Sequence, residues 1–427
     1  MNTYLILTLG CSALSALLAV RWVYFKILKL AKEKGLVDNP DARKLQKFPV
    51  PVVGGLAVFF GLLFGLLFGS VVYYVFNLDI TGDSPVLATT RMTPVVLAMS
   101  IMLYVGCLDD IVGLTPRTRF IIEILVILGM VFSSDACIDS LHGLWGVDTF
   151  SWWVAVPLTV FAGVGVVNAV NMVDGVNGLS SGLCITCSAL FGVIFLHIGD
   201  EMNAILAFTM TASLLPFFVH NVFGDKSRMF IGDAGTMVMG ILMTWFVICI
   251  THDEGYVYAV NEDVGIIAMV LSFLSVPVAD TLRVMIMRMV HGKSPFSPDK
   301  THLHHAFVAL GISHSITALS IVVINLAVVA TWYVCLKCGA PVECQLYAVI
   351  LAAAVLVWGT YIFLEHESKS SSQKAQWLRG FSVKTHLGRK EWWQRLTYYL
   401  DAPEFDEQGR KDLREKLERK FMNRHGH

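Results

Sequence analysis

Runs of roughly 20 apolar residues recur along this sequence, and a segment of that length crosses the hydrocarbon core of a bilayer as a helix. They predict eleven spans, at 3–26, 52–76, 93–112, 119–134, 152–171, 178–198, 202–222, 229–250, 264–288, 313–335 and 346–364. The chain reads as an all-α polytopic membrane protein of about eleven transmembrane helices. Only 15% of its 427 residues are charged and 55% are hydrophobic, against roughly 25% charged in a soluble domain. A disordered chain, a collagen and a small disulfide scaffold are excluded. With 32 basic and 33 acidic residues the net charge is −1, so no field gathers a polyanion and no nucleic-acid partner is expected. Residues 1–26 lack a charged leader and a small-residue cleavage site, which reads as a retained first helix.

Charge sets the expected sidedness. The loops at 77–92, 135–150, 199–201, 251–263 and 336–345 carry twelve acids, with only Arg91 and Lys337 as strong bases. Lys29, Lys32, Lys34, Arg43, Lys44, Lys47, Arg117, Arg119, Lys226, Arg228, Lys293 and Lys300 fall on the other side, with a basic tail. The positive-inside rule puts that side in the cytoplasm, with the N-terminus outside and the C-terminus inside. Cys184 and Cys187 read as small apolar residues, while Cys338 and Cys344 share an outer loop that could bridge them.

The chain divides into 1–365, holding the spans, and a cytoplasmic tail, 366–427. The tail has a Ser-rich linker, Trp392-Trp393, Tyr398-Tyr399 and a charged segment at 404–424 with helical spacing. Its aromatic cluster fits either an interfacial amphipathic helix at the lipid surface or a docked helix. No catalytic motif is visible there, and the tail reads as accessory.

Polar residues gather where apolar helices reach the basic side. Asp109-Asp110 ends the third span, and Asn168-Ala169-Val170-Asn171-Met172-Val173-Asp174-Gly175-Val176-Asn177-Gly178 joins the fifth and sixth. Phe230-Ile231-Gly232-Asp233-Ala234-Gly235 opens the eighth. Asp280 and Arg283 lie in the ninth, one helical turn apart, and Ser294 to His305 follow, ending His302-Leu303-His304-His305. Ionisable groups at such depth are costly and mark function. Carboxylates and an amide are hard oxygen ligands suited to Mg²⁺, with Mn²⁺ an alternative, and substrate phosphates complete the shell. Arg119, Arg288, Lys300 and the histidines supply partners for a diphosphate. Gly292-Lys293-Ser294 looks like the end of a phosphate loop, but position 287, where that loop needs glycine, is Met287.

This ordered set, Asp109-Asp110, N-x-x-N-M-V-D-G-x-N-G, F-I-G-D-A-G and S-P-F-S-P-D-x-x-H-L-H-H, resembles the polyprenyl-phosphate N-acetylhexosamine-1-phosphate transferases. It is most similar to the bacterial branch that forms undecaprenyl-diphospho-N-acetylglucosamine. The resemblance covers residues 1 to about 365, including Pro40, Pro51 and Gly54-Gly55. It implies transfer of N-acetylglucosamine 1-phosphate from UDP-N-acetylglucosamine to undecaprenyl phosphate, releasing UMP and giving the first lipid-linked sugar of a cell-envelope glycan. It also implies a bacterial inner-membrane location with the active site on the cytoplasmic face, and it allows a homodimer.

By the same resemblance, Asn171 and Asp233 would hold Mg²⁺ on the donor diphosphate. Asp109 would orient the lipid phosphate or take its proton, with Asp110 supporting. Phe230 would stack on uracil and Asn177 would hydrogen-bond it; Asp174, Arg119, Arg288, His302, His304 and His305 would hold the rest of the substrate. Many relatives carry a second acid where this chain has Asn177, which argues against a metal or base role there. Three other readings stay open. The enzyme could be a phospho-N-acetylmuramoyl-pentapeptide transferase, or take another N-acetylhexosamine. A secondary transporter also carries acids in a helical bundle, but near the midplane and in related halves; here they lie at one interface and no repeat is evident. The histidines could bind zinc, though their spacing is not a familiar zinc pattern.

Overall fold

A computed structural model describes residues 3–39, 49–75, 85–252, 263–297, 301–370, 372–384, 388 and 390–404. Pro40, Arg43, Lys44, Lys47 and Lys300 fall outside the described residues. The described residues are helical almost throughout. Helix α1 (Thr3–Lys34) is followed by a two-residue antiparallel pair, β1 (Val37–Asp38) and β2 (Val50–Pro51), with Val37 opposite Pro51. Then come α2 (Gly54–Val75), α3 (Pro85–Val112), α4 (Pro116–Ser134), α5 (Trp152–Met172), α6 (Leu179–Ile198), α7 (Glu201–Phe223) and α8 (Gly232–Thr251). Among the described residues, nine helices are long and apolar enough to cross a membrane, or ten if one bent pair counts as a single span. Helix α4, expected as the fourth span, forms but is not among them; it carries Arg117, Arg119 and Glu123 in 19 residues.

Helix α8 is the axis of the bundle. Its sequence is apolar on every side, which is the pattern of a helix enclosed by others, and 94% of its hydrophobic window is buried. It packs on α3, α5 and α2, while α1 packs on α2 and α7. Lipid chains are as apolar as leucine, so close van der Waals packing has to supply the helix association. Gly61, Gly65 and Gly69 form a row along α2 where an added Cβ would overlap Val20, Ala16 and Ser12 of α1. At the start of α8, Gly235 lies against Gly55, and Ala234 against Gly106 of α3. The first turn of α8 is thereby held between α2 and α3 with no side chain intervening.

The ninth span departs from the straight helix that its apolar run suggests. It breaks into α9 (Ile266–Phe273) and α10 (Ser275–Val290), bent by 79°. A break inside a bilayer leaves backbone groups that water cannot reach. Asn325, fully buried on α12 (His314–Lys337), meets them: its Oδ1 accepts from Ser275 Oγ (3.0 Å) and Val276 N (3.1 Å), and its Nδ2 donates to the Phe273 carbonyl (3.0 Å). The Cys187 thiol donates to that same carbonyl at 3.0 Å. The bend directs α10 toward α11 (Leu303–Ala309), which carries two of the histidines. The last span joins α13 (Val342–Ala353) to α14 (Thr360–Lys369) through one wider turn, Ala354–Gly359. Helices α15 (Gln373–Lys384) and α16 (Glu391–Asp401) follow.

The two expected sides gather at opposite ends of the bundle. At one end Trp145 Nε1 donates to Tyr347 Oη (2.9 Å), His142 reaches the Thr251 carbonyl (3.3 Å) and His252 pairs with Asp139 (2.9 Å). At the other, Lys32 Nζ donates to the Lys226 carbonyl at 2.8 Å, beside the segments singled out by their polarity. Cys338 and Cys344 are exposed free thiols.

Candidate active site

A cavity of about 1090 Å³ opens at the basic end. Four stretches far apart in sequence wall it: Asp110; Asn171, Asp174 and Asn177; Phe230 and Asp233; and His302, His304 and His305. Three of the anticipated residues do not line it. Asp109 is turned to Arg119 (2.8 Å) and accepts from Leu114 N (2.7 Å). Arg119 sits just behind, its guanidinium 4.0 Å from Asp233. Arg288 is buried and donates to the Pro295 carbonyl at 2.5 Å, in the loop after α10.

The start of α8 organises the acidic part. β2 brings Pro51 to Phe230, whose N–H donates to the Pro51 carbonyl (2.8 Å); Gly54 and Gly55 N–H return to Phe230 and Ile231 carbonyls at 2.9 and 2.8 Å. No side chain of its own caps α8. Asp110, arriving from α3, does so instead: its Oδ1 accepts from Asp233 N (2.9 Å) and its Oδ2 from Ala234 N (3.2 Å). A carboxylate there suits the positive end of a helix. Asn171, at the end of α5, donates through Nδ2 to Asp233 Oδ1 (2.6 Å) and Thr236 Oγ1 (2.7 Å). Amide and carboxylate are thus neighbours at the cavity wall.

The loop between α5 and α6 lays Asp174 against Ser180, whose hydroxyl donates to it at 2.6 Å. Burial pushes the Asp174 carboxyl up to about 6; the Ser180 hydrogen bond pulls it down and the charge of Asp233 pushes it further up. The glycine after it has a spatial reason: a Cβ on Gly175 would collide with the His304 ring. Burial, then the neighbouring His305 and His302, pushes the His304 imidazole down to about 3. His304 is therefore a neutral donor or acceptor at neutral pH.

Asp280 is the buried anchor of the histidine loop. It accepts from Arg283 (2.6 Å), from His302 Nδ1 (2.9 Å) and from Leu303 N (3.1 Å), while Arg283 also donates to the Thr301 carbonyl. The one-turn spacing of Asp280 and Arg283 is an internal ion pair, and it serves to place His302. Because a carboxylate only accepts, His302 carries its proton on Nδ1 and leaves Nε2 for other partners.

Sequence reasoning missed several residues here. Asn221, buried in the last turn of α7, accepts from Gly178 N (2.6 Å) and donates to the Met229 carbonyl (2.7 Å), tying two of the site's segments together. A polar amide in an apolar helix was the available signal. His314 also lines the cavity and lies 3.5 Å from Asn177 N. Trp393, from the tail, forms part of the wall with no signal in the site's own motifs.

Among the described residues, the one trio of His, Cys, Asp or Glu whose ligand atoms lie within 4.8 Å of one another is Cys137, Asp139 and His252, at the opposite end. The cavity instead offers a carboxylate beside an amide. That suits a cation which takes one or two protein oxygens and fills its shell with substrate phosphates.

Residues 92–251 match the model of the family described as glycosyl transferase family 4. That stretch contains Asp110, Asn171, Asp174, Asn177, Phe230 and Asp233 but not the histidines or Trp393. Similar proteins include the undecaprenyl-phosphate alpha-N-acetylglucosaminyl 1-phosphate transferase of Escherichia coli (strain K12), 29% identical over 315 residues, which are 72% of this chain and 78% of that one. The protein of the same name from Salmonella typhi is 28% identical, covering 68% of this chain and 73% of its own. The probable undecaprenyl-phosphate N-acetylglucosaminyl 1-phosphate transferase of Bacillus subtilis (strain 168) is 29% identical, covering 70% and 77%.

Proposed function

We propose that this chain, whose residues 92–251 match the glycosyl transferase family 4 model, transfers N-acetylglucosamine 1-phosphate from UDP-N-acetylglucosamine to undecaprenyl phosphate. The observation that carries this reading is the convergence of four separated polar segments on one cavity at the basic end of an apolar bundle. An oxygen of the lipid phosphate attacks the sugar-bearing phosphorus, and the new P–O bond forms as the bond to UMP breaks. UMP leaves with the electron pair. One phosphoanhydride replaces another, so catalysis is positioning and charge neutralisation. The basic loops support placing the cavity on the cytoplasmic side of the inner membrane.

Asn171 and Asp233 would hold Mg²⁺, which when bound neutralises the donor's diphosphate. Phe230 and Asn177 supply a ring face and an amide for uracil. Arg119, held by Asp109 on one side and facing Asp233 on the other, offers its charge to the phosphates. This geometry favours a positioning role for Asp109. His304 and His305 supply ring nitrogens for phosphate and sugar, His302 offers Nε2 as an acceptor for a sugar hydroxyl, and Arg288 acts through the loop that it holds at Pro295.

The test is a panel of UDP-sugars incubated with undecaprenyl phosphate, Mg²⁺ and protein in detergent, read by mass spectrometry of the extracted lipid. The expected product is the diphospho-N-acetylglucosamine lipid. A product from another donor would reassign the sugar, and no product from any would sink the transferase reading.

Asp174 gives a prediction in pH. Its raised carboxyl pKa means its ionised form fills in as pH climbs through about 6. Its contribution to stability is complete below the unfolded value and is lost as pH rises through the folded value of about 6. Ser180→Ala removes the hydrogen bond that favours the carboxylate, so the acidic limb of kcat/KM should move to higher pH. A limb that stays put or moves down would show that the Asp174 carboxylate is not used.

A further inference from the structure

The tail is built into the site. Helix α16 lies along the end of α7: Thr397 Oγ1 donates to the Phe223 carbonyl (2.8 Å), and the Trp393 and Phe223 rings lie 4.4 Å apart. At its last residue, Asp401 enters the turn between α7 and α8 and is 4% exposed. Its carboxylate accepts from the backbone N–H of Asp225 (3.2 Å), Lys226 (3.0 Å) and Ser227 (3.0 Å), and from the Ser227 hydroxyl (2.6 Å). Successive backbone N–H groups turned to one side make an anion-binding concavity, and here the chain's own carboxylate fills it. Beyond it, Glu404 pairs with Lys32 at 2.5 Å, and Lys32 also donates to the Lys226 carbonyl. Trp393 and Gly388 face the cavity itself.

The turn so held leads directly into Phe230 and Asp233. Its other supports come from α1 and α7: Tyr24 Oη donates to the Ser227 carbonyl (2.8 Å), and Arg228 donates to the Asn221 and Gly224 carbonyls (3.2 and 2.5 Å). Neither engages the N–H groups of Asp225 and Lys226. Asp401 does so, and charge-assisted bonds of this kind are about twice as strong as neutral ones.

We propose that the C-terminal segment is a wall of the donor-nucleotide pocket, with Trp393 lining it and Asp401 a positioning residue that sets the turn carrying Phe230. The nucleotide identity rests on the transferase reading above; the placement of the tail does not. The segment lies outside residues 92–251, the stretch that matches the family model.

The test uses the full-length protein in detergent with Asp401→Ala, Asp401→Asn and Trp393→Ala. UMP binding is measured by calorimetry without acceptor, and steady-state kinetics follow with each substrate varied in turn. Displacing a pocket wall predicts weaker UMP binding and a KM for UDP-N-acetylglucosamine raised about tenfold, with kcat and the KM for undecaprenyl phosphate little changed. Asp401→Asn, which keeps one acceptor oxygen, should fall between. Folded variants with wild-type UMP affinity would overturn the proposal. So would a loss shared equally by donor and acceptor, which is what mere loosening of the bundle gives. Should Asp401→Ala fail to fold, Trp393→Ala decides by the same readouts. Wild-type protein that binds UMP but transfers nothing would sink the transferase reading and leave this one standing; failure to bind UMP would sink both.

Discussion

Asp233→Ala is expected to lower kcat by roughly a thousandfold or more while leaving the protein folded in detergent, since groups that neutralise charge in a transfer step carry about this much each. The two halves of the expectation have separate causes. Asp233 stands at the cavity wall with its side chain 34% exposed, so truncating it opens no hole in packed hydrocarbon. Helix α8 keeps its buried apolar surface and its cap from Asp110. Three carboxylates, Asp109, Asp110 and Asp233, crowd this end, and removing one relieves repulsion. Melting in detergent should therefore hold or rise. What disappears is the negative oxygen beside the Asn171 amide, the pair suited to a hard cation. Asp233→Asn keeps the shape and loses the charge, and should be nearly as inactive. A variant retaining more than about a tenth of wild-type kcat would remove Asp233 from any such role.

The bundle was legible because hydropathy is local. A run such as 229–250 has to be buried or spanning whatever its neighbours do, and it became α8. The acidic segments were legible for the converse reason: Asp110, Asn171 and Asp233 are costly in such helices unless they meet, and they do meet. What stayed hidden depends on partners distant in sequence. Nothing in 264–288 announces a 79° bend, because the backbone groups freed at Phe273 and Val276 are satisfied by Asn325, about fifty residues on in an ordinary apolar run. The sequence shows Asp280 and Arg283 one helical turn apart, but not that the pair's use lies in His302 and Leu303. Arg288 looked like a phosphate ligand by its charge and loop, but its guanidinium donates to a carbonyl of that loop. The tail offered two surfaces to choose between, lipid or protein, and only the concavity in the α7–α8 turn shows where Asp401 goes.

Asp110→Ala should give the opposite split to Asp233→Ala: stability and activity lost together. The first N–H groups of any helix have no partner within it, and α8 places its own beside the cavity wall, against α2 and α3, with no side-chain cap from its preceding residue. Asp110 satisfies two of them across the α3–α8 contact. Leaving a buried donor unmet costs about 1–3 kcal/mol, and these two are partly buried, so a loss of roughly 2–4 kcal/mol is expected from the pair, with a clear drop of the melting temperature in detergent. The close approach of Gly106 to Ala234 makes matters worse, since nothing else can follow α8 if its first turn shifts. Asp233 and Phe230 move with that turn, and transfer falls even at temperatures where the variant is folded. Asp110→Asn keeps an acceptor for one N–H and turns an amide donor toward the other, so it should recover only part of the stability. If Asp110→Ala melted like wild type and lost only activity, Asp110 would be acting on the substrate directly, and its place as the cap of α8 would be incidental.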